Sequence, residues 1–312
     1  MKRDDESARC CWKIISTRSE QLIQMEILSF FNDICIKENL RYFFGGGSLL
    51  GAVREKGFIS WDDDIDVWML KNDARKLLEV CEKYSNDFFF FQTRYTDKYS
   101  PVPEMIRICV RDSLKWPLEY ADAKFNTGIY FDIFPLELAD THEKFERHKF
   151  SKRAKLSFLL ECKIDPCPLK HHHKVLGKIG SVVSRIIPIK WLHKSIVKTE
   201  EKHKRADASR LICYASSYKI EKNIFDAKDF EGIVYLPFEN TLVPCPSGWD
   251  RLLKVLYGNE YMKPKRMKAS APFAYVSNVF LDRWSSRFEY EEKNGILNLE
   301  LSVTKNHGCE QK

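Results

Sequence analysis

Long apolar runs are absent from this chain. No window approaches the roughly 18 uninterrupted apolar residues of a membrane-spanning helix, and the opening MKRDDESARCCWK lacks the apolar stretch of a secretory leader. A cytoplasmic location is therefore expected. The ten cysteines are scattered, mostly inside apolar runs where a reduced thiol packs as a small hydrophobe, which favours a reducing compartment. There is no internal repeat and no compositional bias towards disorder. What remains is 312 residues, 44% of them apolar, enough to bury a substantial core in one large domain or two small ones.

The net charge of +7 is unevenly spread, because residues 141 to 210 hold 18 Lys or Arg against 7 Asp or Glu. This is a local basic segment rather than a basic protein, and no nucleic-acid partner is expected; the Phe88 to Phe91 run reads as a core strand and not as a base-stacking platform. Within the segment, KVLGKIGSVVSRIIPIKWLHKSIVK mixes cations with Leu, Ile, Val and Trp. Two arrangements fit it. A surface helix could lie on an anionic membrane, with salt-sensitive binding through Lys190, Lys194 and Lys198. Alternatively its apolar stripe packs on the core while the lysine stems reach water, and this second arrangement is favoured because amphipathicity ordinarily marks a half-buried helix.

Periodicity predicts a helix over 18–38, started by a Thr17/Glu20 capping box and closed near Asn39. LRYFFGGG reads as a strand halted by glycines, SLLGAVREKG as a short helix capped by Ser48, and DIDVWML as a second strand. A helix capped by Asn72 or Asp73 is expected next, then strands at 88–94, 105–111 and 128–134, with Pro135 marking the sheet's end. The basic segment reads as helical to about 210. FENTLVPCP reads as extended, followed by a helix entered at Ser247 and stopped at Gly258. The order of elements gives an α/β or α+β layout.

Residues 43–70, FFGGGSLLGAVREKGFISWDDDIDVWML, crowd three glycines, a serine and the four carboxylates Asp62, Asp63, Asp64 and Asp66 between apolar segments. Three glycine or carboxylate motifs fail here. A dinucleotide G-x-G-x-x-G from Gly45 meets Leu50, a phosphate-binding loop from Gly46 continues Ala52-Val53 after Gly51, and a calcium-binding loop from Asp62 meets Val67 where it needs glycine. If DIDVW is a strand, alternation puts Asp64 and Asp66 on one face about 7 Å apart, able to converge on a hard cation such as Mg²⁺. Without a cation the like charges would repel and raise one pKa. The glycine turn lets backbone N–H groups approach a phosphate, and Ser48 adds a hydroxyl at the helix start. Asp132, alone in the apolar IYFDIF, either caps a turn or pairs with an Arg, or serves as a third metal ligand or base in a two-metal arrangement. The metal role is favoured. CKIDPC followed by HHH lacks a paired second knuckle and is not read as a zinc site.

The GG[ST] turn, the D-x-D strand and the later apolar-flanked Asp resemble the nucleotidyltransferase fold of DNA polymerase β. More narrowly, GGGSLLGAVREKGFISWDDDIDVWM, GIYFDIFPLE and VPCPSGWDRLLKVLYGNEYMKP resemble three blocks of the LicD family, to which fukutin and fukutin-related protein are also similar. Ser60 stands where that family has Pro, and Glu137 where it has Asp. The resemblance implies an α+β fold with a polymerase β-type mixed sheet, flanking helices and a helical basic insert. It divides the chain into a catalytic core at 18–140, the basic insert at 141–210, the rest of the same domain at 211–285 and a variable tail at 286–312. It implies transfer of phosphocholine or ribitol phosphate from a CDP-alcohol donor to a sugar hydroxyl of a glycan or lipid-linked precursor, with Mg²⁺ or Mn²⁺ and release of CMP. By position, Gly46, Gly47 and Ser48 would hold the donor phosphates, and Asp64, Asp66 and Asp132 the metal. Arg54 and Lys56 are the candidates for neutralising diphosphate charge, with Arg107 a weaker one, while Asp62 and Asp63 are left to orient ligands or cap the strand. Two rivals use the same residues: nucleotidyl transfer at the α-phosphate, and a non-catalytic nucleotide-binding subunit.

Overall fold

The computed structural model describes residues 12–302 apart from 122, 165–173, 203–205, 217 and 265–273. After β1 (Trp12–Ile15), Ser16 opens the first helix: its side-chain oxygen accepts the Ser19 amide N–H at 3.2 Å, satisfying one of the free donors of helix α1 (Thr17–Glu38). The Thr17/Glu20 capping box does not form, and Glu20 is instead buried against Lys115. Asn39, at φ 52°, closes the helix in the left-handed region. One face of α1, with Ile23, Ile27, Phe31 and Ile34, is fully buried.

There follow β2 (Phe43–Phe44), α2 (Gly46–Arg54), β3 (Asp66–Leu70), α3 (Lys71–Val80), β4 (Phe89–Gln92), β5 (Ile106–Val110), β6 (Ser113–Leu114) and β7 (Tyr130–Asp140). Helix α3 leaves β3 directly at Lys71, so Asn72 and Asp73 lie inside its first turn and neither caps it. The helices α4 (Glu143–Ile164), α5 (Lys174–Ile186) and α6 (Ile189–Glu201) come next. Strand β8 (Ala206–Ile212) then replaces the helix expected up to 210. After β9 (Ile224–Asp226), the strands β10 (Ile233–Phe238) and β11 (Thr241–Pro246) form a hairpin turned at Glu239 and Asn240. Helix α7 (Trp249–Tyr257) is capped by Gly248 rather than Ser247 and ends at Gly258. The chain continues through β12 (Ala274–Ser277), α8 (Asn278–Trp284), β13 (Phe288–Lys293) and β14 (Ile296–Leu301).

The fold is a mixed α+β arrangement with two main sheets. The larger runs β2-β3-β7-β5-β4, with β8 on the far half of β7 and β9 beyond it; β3 and β7 are parallel, their neighbours antiparallel. The smaller runs β13-β14-β1-β12-β6, and α1 packs against both β14 and β7. The weakly patterned end of the chain thus supplies a hairpin to this second sheet. Pro135 does not end β7. Strand β5 pairs with β7 up to Ile133 and β8 begins at Glu137, so Pro135 sits where that edge changes partners and its missing N–H costs no ladder bond there.

The basic insert packs through α4 and α6. Leu156, Leu160 and Ile164 meet Ile189, Leu192 and Ile196 over Tyr120 and Phe125, and each fully buried Leu or Ile is worth about 1.5–3 kcal/mol. Arg153 of α4 pairs with Glu104, ahead of β5, and, at 3.5 Å, with Glu200 of α6, tying the bundle to the sheet, while Lys71 of α3 pairs with Glu137 of β7. The core-packed expectation for 174–198 holds for α6 and fails for α5. There the inner face carries Gly180, whose added Cβ would lie 2.7 Å from Cys162 Sγ, and the apolar stripe faces outwards. Cys167 and His171 to His173 of the zinc-like motif lie outside the described residues.

Candidate active site

The site begins where β2 turns into α2. The Gly45 N–H donates to the Asp66 carbonyl at 2.9 Å, and the Asp66 N–H donates to the Ser48 hydroxyl oxygen at 2.8 Å. Ser48 therefore does not cap α2, which starts from Gly45 without a side-chain cap; it stands in the first turn and locks β3 beside it. Gly46 has φ +49°, and a Cβ there would lie 3.1 Å from Asp66 Oδ2; a Cβ on Gly47 would lie 2.5 Å from Asp62 Oδ2. Absence of side chains at these two positions lets two carboxylates lie against the positive end of α2.

Strand β3 starts at Asp66, so Asp64 precedes it and strand alternation does not govern the pair as expected. Both nevertheless line one cavity of about 310 Å³, together with Asp62, Gly47 and Arg54. Among the described residues, the carboxylates whose oxygens come within 4.8 Å of one another are Asp62, Asp63 and Asp64. Asp62 and Asp63, given only a supporting part by the sequence, are therefore in the group, and the expected set of Asp64, Asp66 and Asp132 is not brought that close.

Asp132 lies abreast of Asp66 in parallel register, and Arg107 of β5 lies abreast of Asp132 on its other side. The Arg107 guanidinium donates to both Asp132 oxygens, at 2.6 and 3.0 Å, and stacks on the Tyr130 ring at 4.0 Å. Arg107 thus faces a carboxylate and not the open cavity. Arg54 reaches the cavity wall, donating to Glu55 at 2.6 Å and to the Tyr261 carbonyl at 3.1 Å. Lys56 is exposed, sits at φ 59° and does not line the cavity.

Electrostatically the site is short of cations. Burial, reinforced by Asp64 and Asp63, pushes Asp62 up to about 7, and burial with Asp63 and Asp132 pushes Asp64 up to about 6 against Lys115 and Arg107. Asp66 is raised well above the usual carboxylate range by burial and by Asp64, Asp132 and Asp62. Lys115 is already committed, to Glu20 and at 2.9 Å to Asp63, while among the described residues Asp62, Asp64 and Asp66 have no ion pair. A set of carboxylate oxygens with no nitrogen or sulfur donor fits a hard divalent cation such as Mg²⁺ or Mn²⁺.

Sequence reasoning missed Lys115 and the far wall of the cavity. Trp61, Tyr218, Tyr257 and Tyr261 line the same cavity as the carboxylates, the Tyr218 and Tyr257 rings meeting edge to face at 6.5 Å. The one signal for Tyr257 and Tyr261 was their place in the third family-like block; Tyr218 carried none.

Comparison with known proteins defines the class first. Residues 39–166 match the family described as LicD/FKTN/FKRP, nucleotidyltransferase domain. Among the chain's relatives is the lipopolysaccharide cholinephosphotransferase LicD of Haemophilus influenzae, 27% identical over 80% of this chain and 93% of that one. Shorter matches join it to uncharacterised proteins of Rickettsia prowazekii, 28% identical over 28% of this chain and 35% of the relative, and of Rickettsia typhi, 35% identical over 19% of each.

Proposed function

We propose that this chain is a metal-dependent phosphocholine transferase on a nucleotidyltransferase-like core. It moves phosphocholine from CDP-choline to a sugar hydroxyl of a surface glycan or its lipid-linked precursor and releases CMP. The observation that carries this reading is the cavity holding Asp62, Asp64 and Asp66 against the glycine-built start of α2, with no ion pair to any of the three among the described residues although Arg54 and Lys263 also line the cavity. The Haemophilus relative, named a lipopolysaccharide cholinephosphotransferase, supports the same substrate class.

A divalent cation bound by Asp62, Asp63, Asp64 and Asp66 would neutralise the diphosphate and stabilise the CMP leaving group. The N-terminal N–H groups of Gly46, Gly47 and Ser48 and the guanidinium of Arg54 bind and orient the donor phosphates. Asp132 is a further carboxylate of this reading, beside those four. To take an acceptor proton or approach a cation it must exchange at least one of its two bonds to Arg107. Lys115 and Glu20 hold Asp63 in place from behind.

The choice of choline over ribitol rests on the aromatic wall. Trp61, Tyr218, Tyr257 and Tyr261 line the cavity, and contact of a trimethylammonium group with an aromatic ring face is worth about 0.5–2 kcal/mol, a gain a polyol does not share. The Asp62 carboxylate adds attraction for a cation, whereas Glu260 in the same lining is paired with Lys263 at 2.5 Å.

Thermal shift with Mg²⁺ and a panel of donors tests the reading, since a ligand that binds the folded state stabilises it in proportion to the logarithm of its saturation. CDP-choline is expected to raise Tm most; equal or greater stabilisation by CDP-ribitol overturns the assignment of the alcohol. The family's description as a nucleotidyltransferase domain favours one second reading, attack at the α-phosphate. With the cytidine labelled, label in free CMP supports phosphocholine transfer, and label on the acceptor supports the second reading.

A further inference from the structure

Helix α5 turns its apolar stripe the wrong way for a soluble bundle. Ile179, Val182, Val183 and Ile186 follow one another at three- and four-residue spacing, and Ile179, Val182 and Ile186 are 56%, 64% and 84% exposed. The surface continues past Pro188 to Trp191, which is 52% exposed. The side turned inwards is made of small residues. Gly180 lies against Phe158 and Cys162 of α4, Ser184 is buried, and the Lys163 ammonium donates to the Ser184 carbonyl at 2.7 Å, pinning the end of α5 to its neighbour. Neither the packing nor that tie leaves α5 free to rotate its stripe into the core.

The charge around the stripe has one sign. From residue 166 to residue 199 there are seven Lys or Arg and no Asp or Glu, and Arg185, Lys190, Lys194 and Lys198 are exposed. Protruding aliphatic side chains, an exposed Trp and the exposed cations Arg185, Lys190, Lys194 and Lys198 together match the requirements of the water–lipid boundary of an anionic bilayer.

We infer that the outward face of α5, with Trp191 and the lysines of α6, docks this protein on an anionic lipid bilayer by inserting Ile179, Val182 and Ile186 among the acyl chains. A second copy of the chain is the weaker occupant, since a two-fold contact through this face would set the cationic segment against itself. A folded protein partner would need a groove shaped to a convex ridge, whereas a fluid interface conforms to it. The surface is distinct from the carboxylate cavity, and the inference holds whether or not the proposed reaction is correct.

The test is cosedimentation of the full chain with vesicles of phosphatidylglycerol and phosphatidylcholine, beside vesicles of phosphatidylcholine alone, with light scattering on the same samples. The wild type is expected on the anionic vesicles only, with binding that weakens as salt rises. Val182→Ser with Ile186→Ser is expected to lower the partition at least about tenfold, each change removing exposed apolar contact that the folded core does not use. Lys190→Gln with Lys194→Gln is expected to lower it by about thirtyfold at low salt, at about 1 kcal/mol per lysine. Binding unchanged by the Val182/Ile186 variant, equal binding to neutral vesicles, or no binding at all overturns the inference. So does a concentration-dependent dimer that the same variant abolishes.

Discussion

Two acidic clusters in this molecule are handled in opposite ways. Where the helical bundle meets the sheet, Glu104, Glu137 and Glu200 are buried and meet Arg153 and Lys71 directly, so each cation bridges elements that would otherwise part. Around the cavity, among the described residues, the ion pairs of Asp62, Asp63, Asp64, Asp66, Asp132 and Glu20 are those of Lys115 with Glu20 and Asp63 and of Arg107 with Asp132, which leave Asp62, Asp64 and Asp66 unpaired. Burial raises the pKa of a carboxylate in each cluster, Glu200 in one and Asp66 in the other. The difference lies in where the compensating charge comes from. The first cluster supplies its own and stabilises the fold; the second leaves its open face to a ligand.

Substitutions can break that contrast. Asp64→Ala or Asp66→Ala is expected to lower CMP release by at least about a thousandfold with the circular dichroism spectrum unchanged, as removal of a metal-holding carboxylate from a phosphoryl-transfer site requires. Wild-type activity in either variant would refute the metal-site assignment. Arg153→Met is expected to do the reverse, costing about 3 kcal/mol or more in denaturant unfolding by leaving Glu104 and Glu200 unpaired, while activity per folded molecule stays near wild type. In metal-free protein Asp66→Asn should raise stability by about 1–2 kcal/mol, because it removes one of several repelling buried charges; a loss of stability would show that the carboxylates are compensated by the fold alone.

The pH dependence sharpens the same comparison. Asp62, Asp64 and Glu20, raised to about 7, 6 and 7, keep protons in the folded state that the unfolded chain has already released. Their contribution is fully present below about pH 4, the unfolded carboxylate range, and is lost as pH rises through 6 to 7. Tm of metal-free protein is expected to fall across that window, and Mg²⁺ to stabilise more at pH 8 than at pH 6, since binding must displace protons. A stabilisation by Mg²⁺ that is independent of pH would argue against these carboxylates as ligands. The smallest effect is reserved for Lys56→Ala, which should change turnover less than about twofold, an exposed lysine in a charged turn being worth little.

The parts of the site that are local in sequence were legible: the glycine turn, the carboxylate run and the lone Asp132 all announce themselves within a few residues. Arg107 was visible as a cation in an apolar strand, yet its bond to Asp132 depends on the β5–β7 register, which no local pattern specifies. The cavity wall was less accessible still, because Tyr218 and Tyr257 come from the far end of the chain. Errors in the fold have similar causes. Ser16 displaced Thr17 as the cap by one position, a shift that alternating Ser and Thr cannot resolve, and Pro135 was read as a terminator because its neighbours across the strand were unknown. For α5, spacing reveals that a stripe exists but not which way it points; Gly180 and Ser184 decide that only once α4 is in place.

Strand β7 has a mechanical consequence. Its eleven residues carry Asp132 towards one end and Glu137 and Asp140 towards the other, and it is clamped along its length by β3, β5 and β8, with an irregularity at Leu138 and Ala139 that fixes the alignment with β8. A slide of one residue would turn Asp132 to the opposite face and at the same stroke pull Glu137 from Lys71. The strand behaves as a ruler gripped at both ends: β8 and Lys71 beyond Pro135 set the tolerance to which an aspartate is held beside the cavity.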